Sequence, residues 1–573
     1  MQQQDLPKLP LPSLEESMQR LMLWAKPLLS DEKQAQKDLE EFLAQASYLQ
    51  DFLQERANSK DSWLADWWRE YIYLASRGPV SMECNCSLVL ALPELKGDVF
   101  LKMASFALAS ALLYKELREN KLQMPDKAMS LESIQGLFAS MRLPDYGMDS
   151  YYINPKNSRH MVFAHENHFY EIELFKDHNL QDLISPHELA ALLESIVSGE
   201  KSPASNINFA TFAPRERAKA LFDELLADEK SAKSHEAIQN AILLIAYDES
   251  ECLDVRAQAR NAIANNTWLN RWQGKSLQAV FSKDASLSLL LEHAYCDASI
   301  YVYALERINE MLKTLPNTAH KPLCAKLDFS SLAELDLVKD EFLRYMQSIY
   351  CEFTPFDIDR AFLKAWGVLS ADGFIHLAFQ IAQQLSFSKL HNTYVAVDIS
   401  HFHKGRTECL RPISKESTAF VKSFCALLNG SAFDEEKLRS LMQEALDEHR
   451  KRVKDCQRAH GVNRHLLGLY LAYKELGKED LEFFHSEIYK VISDNTLSTS
   501  CVASPLIKAL FFAPVQAKGL GINYLLSDHG SYLFSSVFAD NKKMQQDFIK
   551  NFLLAIKELK SFTQRTAHAK ELA

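Results

Sequence analysis

The sequence contains no uninterrupted run of about eighteen apolar residues, so no membrane-spanning helix is expected; its longest apolar stretches, such as "ALFFAPV" (509–515), have the length of a strand. Glycine and proline are scarce, at 16 and 18 in 573 residues, which excludes a collagen-like or linker-rich chain. The opening "MQQQDLPKLPLPSLEESM" has neither the basic-then-apolar order of a signal peptide nor the Arg-rich, acid-poor look of a transit peptide, and the final "AKELA" is no address signal. The expected compartment is the cytoplasm. Positive charge is also in deficit: 64 Lys and Arg against 75 Asp and Glu leave a net charge of -11. Such a surface excludes non-specific nucleic-acid binding and requires a local basic patch for any polyanionic ligand. Ten scattered cysteines suit free thiols in a reducing compartment better than a disulfide framework, and no repeat of fixed period is visible.

What is present is a folded chain, 47% apolar and long enough for roughly two to four domains. Helical periodicity runs over 13–55. Next comes "SWLADWWREYIYLA", where Trp63, Trp67, Tyr71 and Leu74 form a stripe that reads as core. A strand-like "SLVLALPEL" precedes a helix over 98–118. Between 151 and 330 the pattern mixes helices with short strands, including "HMVFA"/"HFYEIELF" and "LQAVFS"/"LSLLLEH" as hairpins. Helices are expected near 331–350, 370–387, 414–428, 434–459, 464–476 and 540–560, with strands at "IKALFFAPV", "GINYLLS" and "SYLFSSV". The simplest architecture is α/β in two interleaved lobes: an N-terminal helical segment (1–80) packing with the second lobe, a first lobe (81–330) and a second lobe (331–573).

Several constellations read as structural. His160, His165 and His168 sit on a hairpin whose strand positions diverge, with no Cys or acidic cluster to complete a site, so no metal is expected. Cys84 and Cys86 alternate on one strand as buried thiols. "GLGINY" lacks the third glycine of a nucleotide loop and precedes a strand, and "EHRKRVKDCQRAH" reads as a solvated helix face. His293, ending the apolar run of "LLEHAYCDAS" (290–299), also reads by itself as a structural imidazole.

Its company changes that reading. "YVAVDISHFHKGRTECLRPISKESTAFV" from 394, "NRHLLGLYLAY" from 463 and "LSTSCVASPLIKALFFAPVQAKGLGINY" from 497 join "EHAYCDAS", "WWREYIYLASRGPV" and "LPKLPLPSLEESMQRLM". In order and approximate spacing these segments resemble the choline/carnitine O-acyltransferase family, from residue 5 to about 555. The resemblance implies the two-lobed fold of coenzyme A-dependent acyltransferases of the chloramphenicol acetyltransferase type, with a tunnel between the lobes. It makes His293 the catalytic base, a role suited to an imidazole that takes and returns a proton near neutral pH. Asp297 would support it by pairing with Arg406 of "GRT". Ser500, third in "STS" (498–500), would donate to the oxyanion, worth roughly 10²- to 10³-fold in rate.

For the acceptor, the resemblance implies carnitine, whose carboxylate needs cationic and hydroxyl partners that choline does not. Arg464, Thr407 and Tyr394 would supply them, with Ser498 nearer the carboxylate and Phe512 facing the trimethylammonium. Coenzyme A phosphates would meet Arg360 and Lys364, with Asp372 at the family's coenzyme-contacting aspartate. Leu510 stands where short-chain members carry methionine and longer-chain members glycine, and so favours short acyl groups. The chain departs from the family at Ala396, Pro412 and Cys501, and at Ala371, beside an apparent one-residue insertion. No permanently bound cofactor is expected; acyl-CoA and carnitine are the implied partners of a monomer. Choline or another alcohol as acceptor, or a non-catalytic acyl-CoA binder, are the alternatives that the departures leave open.

Overall fold

Strands β6 (Leu244–Asp248), β7 (Leu277–Ser282) and β8 (Leu287–Leu291) are buried at every position, which is why their sequences run apolar without strict alternation. In the computed structural model, which describes residues 6–200, 202–316, 318, 321–477, 481–527 and 530–571 with side chains to Arg565, they form the centre of a mixed eight-stranded sheet. Its order is β14-β1-β8-β7-β6-β4-β5-β9, with β1 at Cys86–Leu90, β4 at His160–His165, β5 at His168–Glu173, β9 at Cys324–Lys326 and β14 at Ile507–Phe511. β4, β6 and β7 run parallel; β8 returns antiparallel to β7 and to β1. A separate hairpin joins β2 (Ser140–Leu143) to β3 (Ser150–Ile153). The helix Val99–Arg118 is capped by the Asp98 side chain, which accepts from the Leu101 N–H, and its middle from Met103 to Ala111 is wholly buried.

This sheet belongs to the first of two compact units, Trp67–Ile349 with Ser504–Ala513. The second comprises residues 6–66, Tyr350–Ala503 and 514–571. Its six-stranded sheet runs β10-β16-β15-β13-β11-β12, with β10 at Ile349–Phe356, β11 at Thr393–Asp398, β12 at Thr407–Leu410, β13 at Leu497–Ser500, β15 at Leu520–Leu525 and β16 at Ser531–Phe538. The helices Ala371–Phe387, Lys415–Leu428 and Glu435–Gln457 and the long helix from Lys542 bury one apolar core with it, built around Phe374, Phe379, Phe424, Phe548, Phe552 and Phe562. The α/β class expected from the sequence is what the chain adopts. Among the described residues, no helix is long and apolar enough to cross a membrane.

Local expectations differ from the structure at identifiable places. The helical stretch 13–55 is three α-helices, Leu14–Ala25, Glu32–Gln45 and Ser47–Ser59, started by Ser13 and Asp31 caps at the first two. The aromatic stripe fails at Tyr71, which is 45% exposed while Trp68 is buried, because Trp68–Leu74 is a π-helix and its wider turn rotates position 71 outward. Cys84 caps a short helix and only Cys86 lies on a strand, although both are buried. The helix expected over 331–350 stops at Gln347, and β10 begins two residues later.

The N-terminal helices are tied into the second unit by His465. The imidazole is buried, with Nε2 donating to Gln50 Oε1 at 2.9 Å and Nδ1 accepting from Ser17 Oγ at 2.7 Å. Burial first, and the Arg20 charge second, push its pKa down from 6.5 to about 3. The unfolded chain therefore binds a proton that the fold refuses, so this contribution is intact above pH 6.5 and is lost as pH falls from there toward 3. His465→Gln makes the acid loss of stability shallower by up to about 1.4 kcal/mol per pH unit, read from urea-unfolding midpoints between pH 7 and 4.5; an unchanged pH slope contradicts this.

Candidate active site

His293 follows β8 by two residues, on a turn fixed from behind by buried charge. Glu292, with its side chain fully buried, folds back to accept from the Ala294 N–H at 3.0 Å and lies 3.5 Å from Arg142 Nη1. Arg142 Nε donates to Asp149 Oδ2 at 2.6 Å, an oxygen that also receives Arg215 Nε at 2.6 Å, and Arg77 Nη2 reaches Oδ1 at 2.9 Å. Buried charges of this kind are tolerable only when paired, so the chain Glu292–Arg142–Asp149 holds the turn rigidly. Neither Glu292 nor Arg142 was singled out from the sequence; the one signal was a charged residue directly at the end of an apolar strand.

A backbone carbonyl orients the ring. His293 Nδ1 lies 2.6 Å from the Cys296 carbonyl, which can only accept, so Nδ1 carries the hydrogen and Nε2 the lone pair. Tyr301 Oη donates toward the Glu292 and Cys296 carbonyls at 3.0 and 3.2 Å and closes the turn. Asp297 Oδ1 stands 3.7 Å from Nδ1, near enough to favour the imidazolium once a proton arrives, and the Tyr73 ring lies 5.1 Å from the imidazole. The imidazole is part-exposed, at 29%, and is therefore not sealed in the core.

Leu510 belongs to the same unit. It lies on β14 opposite Leu88 of β1, which in turn faces Leu289 of β8, and it is buried. Phe512 follows β14 and is half-buried.

The remaining candidates are carried by the second unit, and three of them converge. Arg464, at the start of the helix Asn463–Leu476, donates through Nη2 to Tyr394 Oη at 3.0 Å and Thr407 Oγ1 at 3.2 Å, and through Nε to the Thr407 carbonyl at 2.7 Å. Tyr394 and Thr407 come from β11 and β12, and the guanidinium is buried. Arg411 flanks the Tyr394 ring at 6.0 Å and Arg464 at 5.8 Å. Glu408, also buried, receives the Arg464 N–H at 3.3 Å. Burial raises the Glu408 carboxyl, opposed by Arg464 and by backbone donors. Glycine is required at 461, because a Cβ there would meet the Glu408 side chain at 2.3 Å. Ala396, on the same side of β11 as Tyr394, is exposed.

In "STS", Ser498 and Ser500 share one side of β13. Thr499 Oγ1 donates to the Tyr394 carbonyl at 2.8 Å, and the Asn523 amide steadies the Ser500 carbonyl at 3.1 Å. Ser498 is buried and Ser500 half-exposed. Pro412 is buried in the stretch leading to the Ser414 cap of helix Lys415–Leu428, while Cys501 is exposed. Arg406, in the turn before β12, is half-buried. Arg360 and Lys364 share the short helix Arg360–Ala365, both exposed, with Arg360 Nε bonded to the Leu526 carbonyl at 2.9 Å.

Asp372 opens the helix Ala371–Phe387, and both its oxygens are taken within the protein: Oδ1 by the Tyr524 hydroxyl and Oδ2 by His449 Nε2 at 2.7 Å. Burial opposes its charge, but His376, His449 and Tyr524 hold the carboxyl below the usual range. His376 itself is pushed by burial down to about 4.

The choline/carnitine O-acyltransferase family model matches residues 9–555. The chain belongs to that family. Among relatives, a Mycoplasma pneumoniae protein named "Putative acetyltransferase" is 30% identical over 97% of this chain and 94% of its own. Columba livia carnitine O-acetyltransferase is 26% identical over 97% and 94%, and the human muscle isoform of carnitine O-palmitoyltransferase 1 is 26% identical over 97% and 77%. Among solved structures, trichothecene 15-O-acetyltransferase from Fusarium sporotrichioides is similar at 12% identity and TM-score 0.34, over 84% of this chain and 94% of that one. As a member of the choline/carnitine family, the protein is an acyltransferase whose acyl donor or product is a coenzyme A thioester.

Proposed function

We propose that the protein reversibly transfers a short acyl group between coenzyme A and the 3-hydroxyl of carnitine. The observation that supports carnitine is the clasp of Arg464 with Tyr394 and Thr407, a buried guanidinium with two hydroxyls beside an exposed strand position at Ala396. A zwitterion with a carboxylate finds there the charge and hydroxyl dipoles that choline does not need. In the forward step His293 Nε2 takes the hydroxyl proton, and the carnitine oxygen attacks the thioester carbonyl. Ser500 Oγ, with the substrate's own trimethylammonium, stabilises the oxyanion. Collapse expels the coenzyme A thiolate, which recovers the proton from the imidazolium that Asp297 stabilises. No acyl-enzyme forms. Arg360 and Lys364 meet the coenzyme phosphates. Asp372, its oxygens already engaged, acts by fixing the start of the helix that follows Ser370.

Acyl length does not follow overall identity, the Columba livia acetyltransferase and the human palmitoyltransferase both being 26% identical to the chain. It rests on Leu510. A panel from acetyl- to palmitoyl-CoA, with carnitine and choline as competing acceptors, tests the whole reading: acetyl-CoA with carnitine is expected to be the fastest pair, and a preference for choline overturns it. Leu510→Gly is expected to raise the rate with octanoyl-CoA relative to acetyl-CoA by about tenfold or more, because volume in one pocket decides the discrimination. An unchanged ratio removes Leu510 from the length gate.

A further inference from the structure

The far end of the first unit's sheet carries a group of side chains unrelated to acyl transfer. β4 ends at His165 and pairs in parallel with β6, His165 lying opposite Tyr247, so the residue following β6, Glu249, emerges at the same end of the sheet. The β4–β5 turn consists of Glu166 and Asn167, both left-handed at φ 48° and 57°. His165 is 6% exposed. Its Nδ1 lies 3.3 Å from the Tyr247 carbonyl, an acceptor only, so Nδ1 carries the hydrogen and Nε2 is left with its lone pair. That Nε2 is buried without a hydrogen-bond partner and stands 3.7 Å from Glu249 Oε1. A carboxylate oxygen of Glu166 completes a set in which one atom from each of the three residues lies within 4.8 Å of the other two.

We propose that His165, Glu166 and Glu249 form a divalent transition-metal site, zinc being the ion that fits best. A ligating imidazole ordinarily has its other ring N–H fixed on a carbonyl, as here, and one nitrogen with two carboxylates leaves a position for water on a tetrahedral ion. Metal–ligand bonds of about 2.0–2.2 Å place such ligand atoms roughly 3.4 Å apart, so the carboxylates must close in slightly. Glu249 is exposed and Glu166 half-exposed, and rotamer changes accomplish this without moving the strands. Imidazole in the set disfavours magnesium and calcium, which prefer oxygen alone. The hairpin's other two histidines take no part: His160 Nε2 is bonded to the Ala237 carbonyl and His168 Nε2 to the Ser202 carbonyl, each at 2.8 Å.

The site is independent of the proposed reaction. β8 runs antiparallel to β7, with Leu291 opposite Leu277 at the start of β7, so His293 leaves the sheet at the end opposite to Glu249. The ion would instead tie the β4–β5 turn to the loop after β6.

The test is titration of Zn²⁺ into the chelator-stripped full chain, with Co²⁺ absorption as a second probe that separates nitrogen and oxygen ligation from the ten thiols. The wild type is expected to bind one equivalent more tightly than His165→Gln and Glu249→Gln, by about tenfold or more, with no thiolate band in the cobalt spectrum for that equivalent. Zinc should also raise the melting temperature of the wild type alone, while acyl-transfer rates remain equal in all three proteins. Glu249→Gln changes an exposed side chain, and so keeps the test valid if His165→Gln fails to fold. Zinc affinity and stoichiometry within twofold of wild type in Glu249→Gln would leave His165 and Glu249 as an ion pair only and overturn the assignment.

Discussion

Replacing His293 with alanine is expected to lower acyl exchange between acetyl-CoA and carnitine by about 10²- to 10⁴-fold, the range for removing a positioned general base. The expectation rests on which nitrogen is committed. Nδ1 is held by the Cys296 carbonyl at 2.6 Å, which puts the ring hydrogen there and the basic lone pair on Nε2. The fold should survive, because the imidazole is part-exposed and the turn is braced by Glu292, Arg142 and Tyr301 rather than by the ring. Steady-state rates with a circular dichroism control decide the matter; a variant retaining a tenth of wild-type activity refutes the role.

The second large effect is expected at Arg464. Substitution by asparagine removes a charged donor to Tyr394 and Thr407, and hydrogen bonds involving charge are worth about 1.5–3 kcal/mol each. The Michaelis constant for carnitine should rise by roughly 10- to 100-fold, while that for acetyl-CoA changes by less than about threefold. The same substitution removes one of the two nearby guanidinium charges, Arg464 and Arg411, that favour the buried Glu408 carboxylate, which costs stability as well. Thr407→Val therefore serves as the companion variant: it removes one hydroxyl from the clasp, keeps the charge pair, and should raise the carnitine constant by about fivefold. Equal effects on both substrates in the two variants would contradict the carnitine assignment.

Much of this site was legible in the sequence, and its character explains why. Tyr394, Thr407 and Arg464 were named from motif positions spread over seventy residues, and the structure brings both hydroxyls within 3.2 Å of the Arg464 guanidinium. The hairpins at 160–173 and 277–291 were legible because tight pairing is local and leaves two short strand-length runs separated by a few turn residues. Glu292 and Glu408 were not, because a carboxylate in a sequence reads as solvated, and only coordinates show the Arg142 side chain beside the first and the Arg464 backbone N–H and charge beside the second. Tyr71 was misjudged because a helical stripe presumes 3.6 residues per turn, and a π-helix breaks that count. The strand at Ile507–Phe511 was recognised as a strand but not as the neighbour of β1, some four hundred residues earlier, since no local pattern encodes a long-range partner. The metal-like histidines were dismissed for lack of an acidic cluster, yet Glu249 arrives beside His165 from a strand eighty residues on.

The edge strand β14 has a consequence for biosynthesis. Translation delivers nearly all of the eight-stranded sheet by residue 326, yet β1 keeps one flank open until the ribosome has made residue 511. For the intervening synthesis the nascent polypeptide carries an apolar ribbon with unpaired amides on one side, the kind of surface that chaperones shield and that recruits stray strands. A premature stop just short of β14 would therefore yield not a stable half-enzyme but an aggregation-prone fragment.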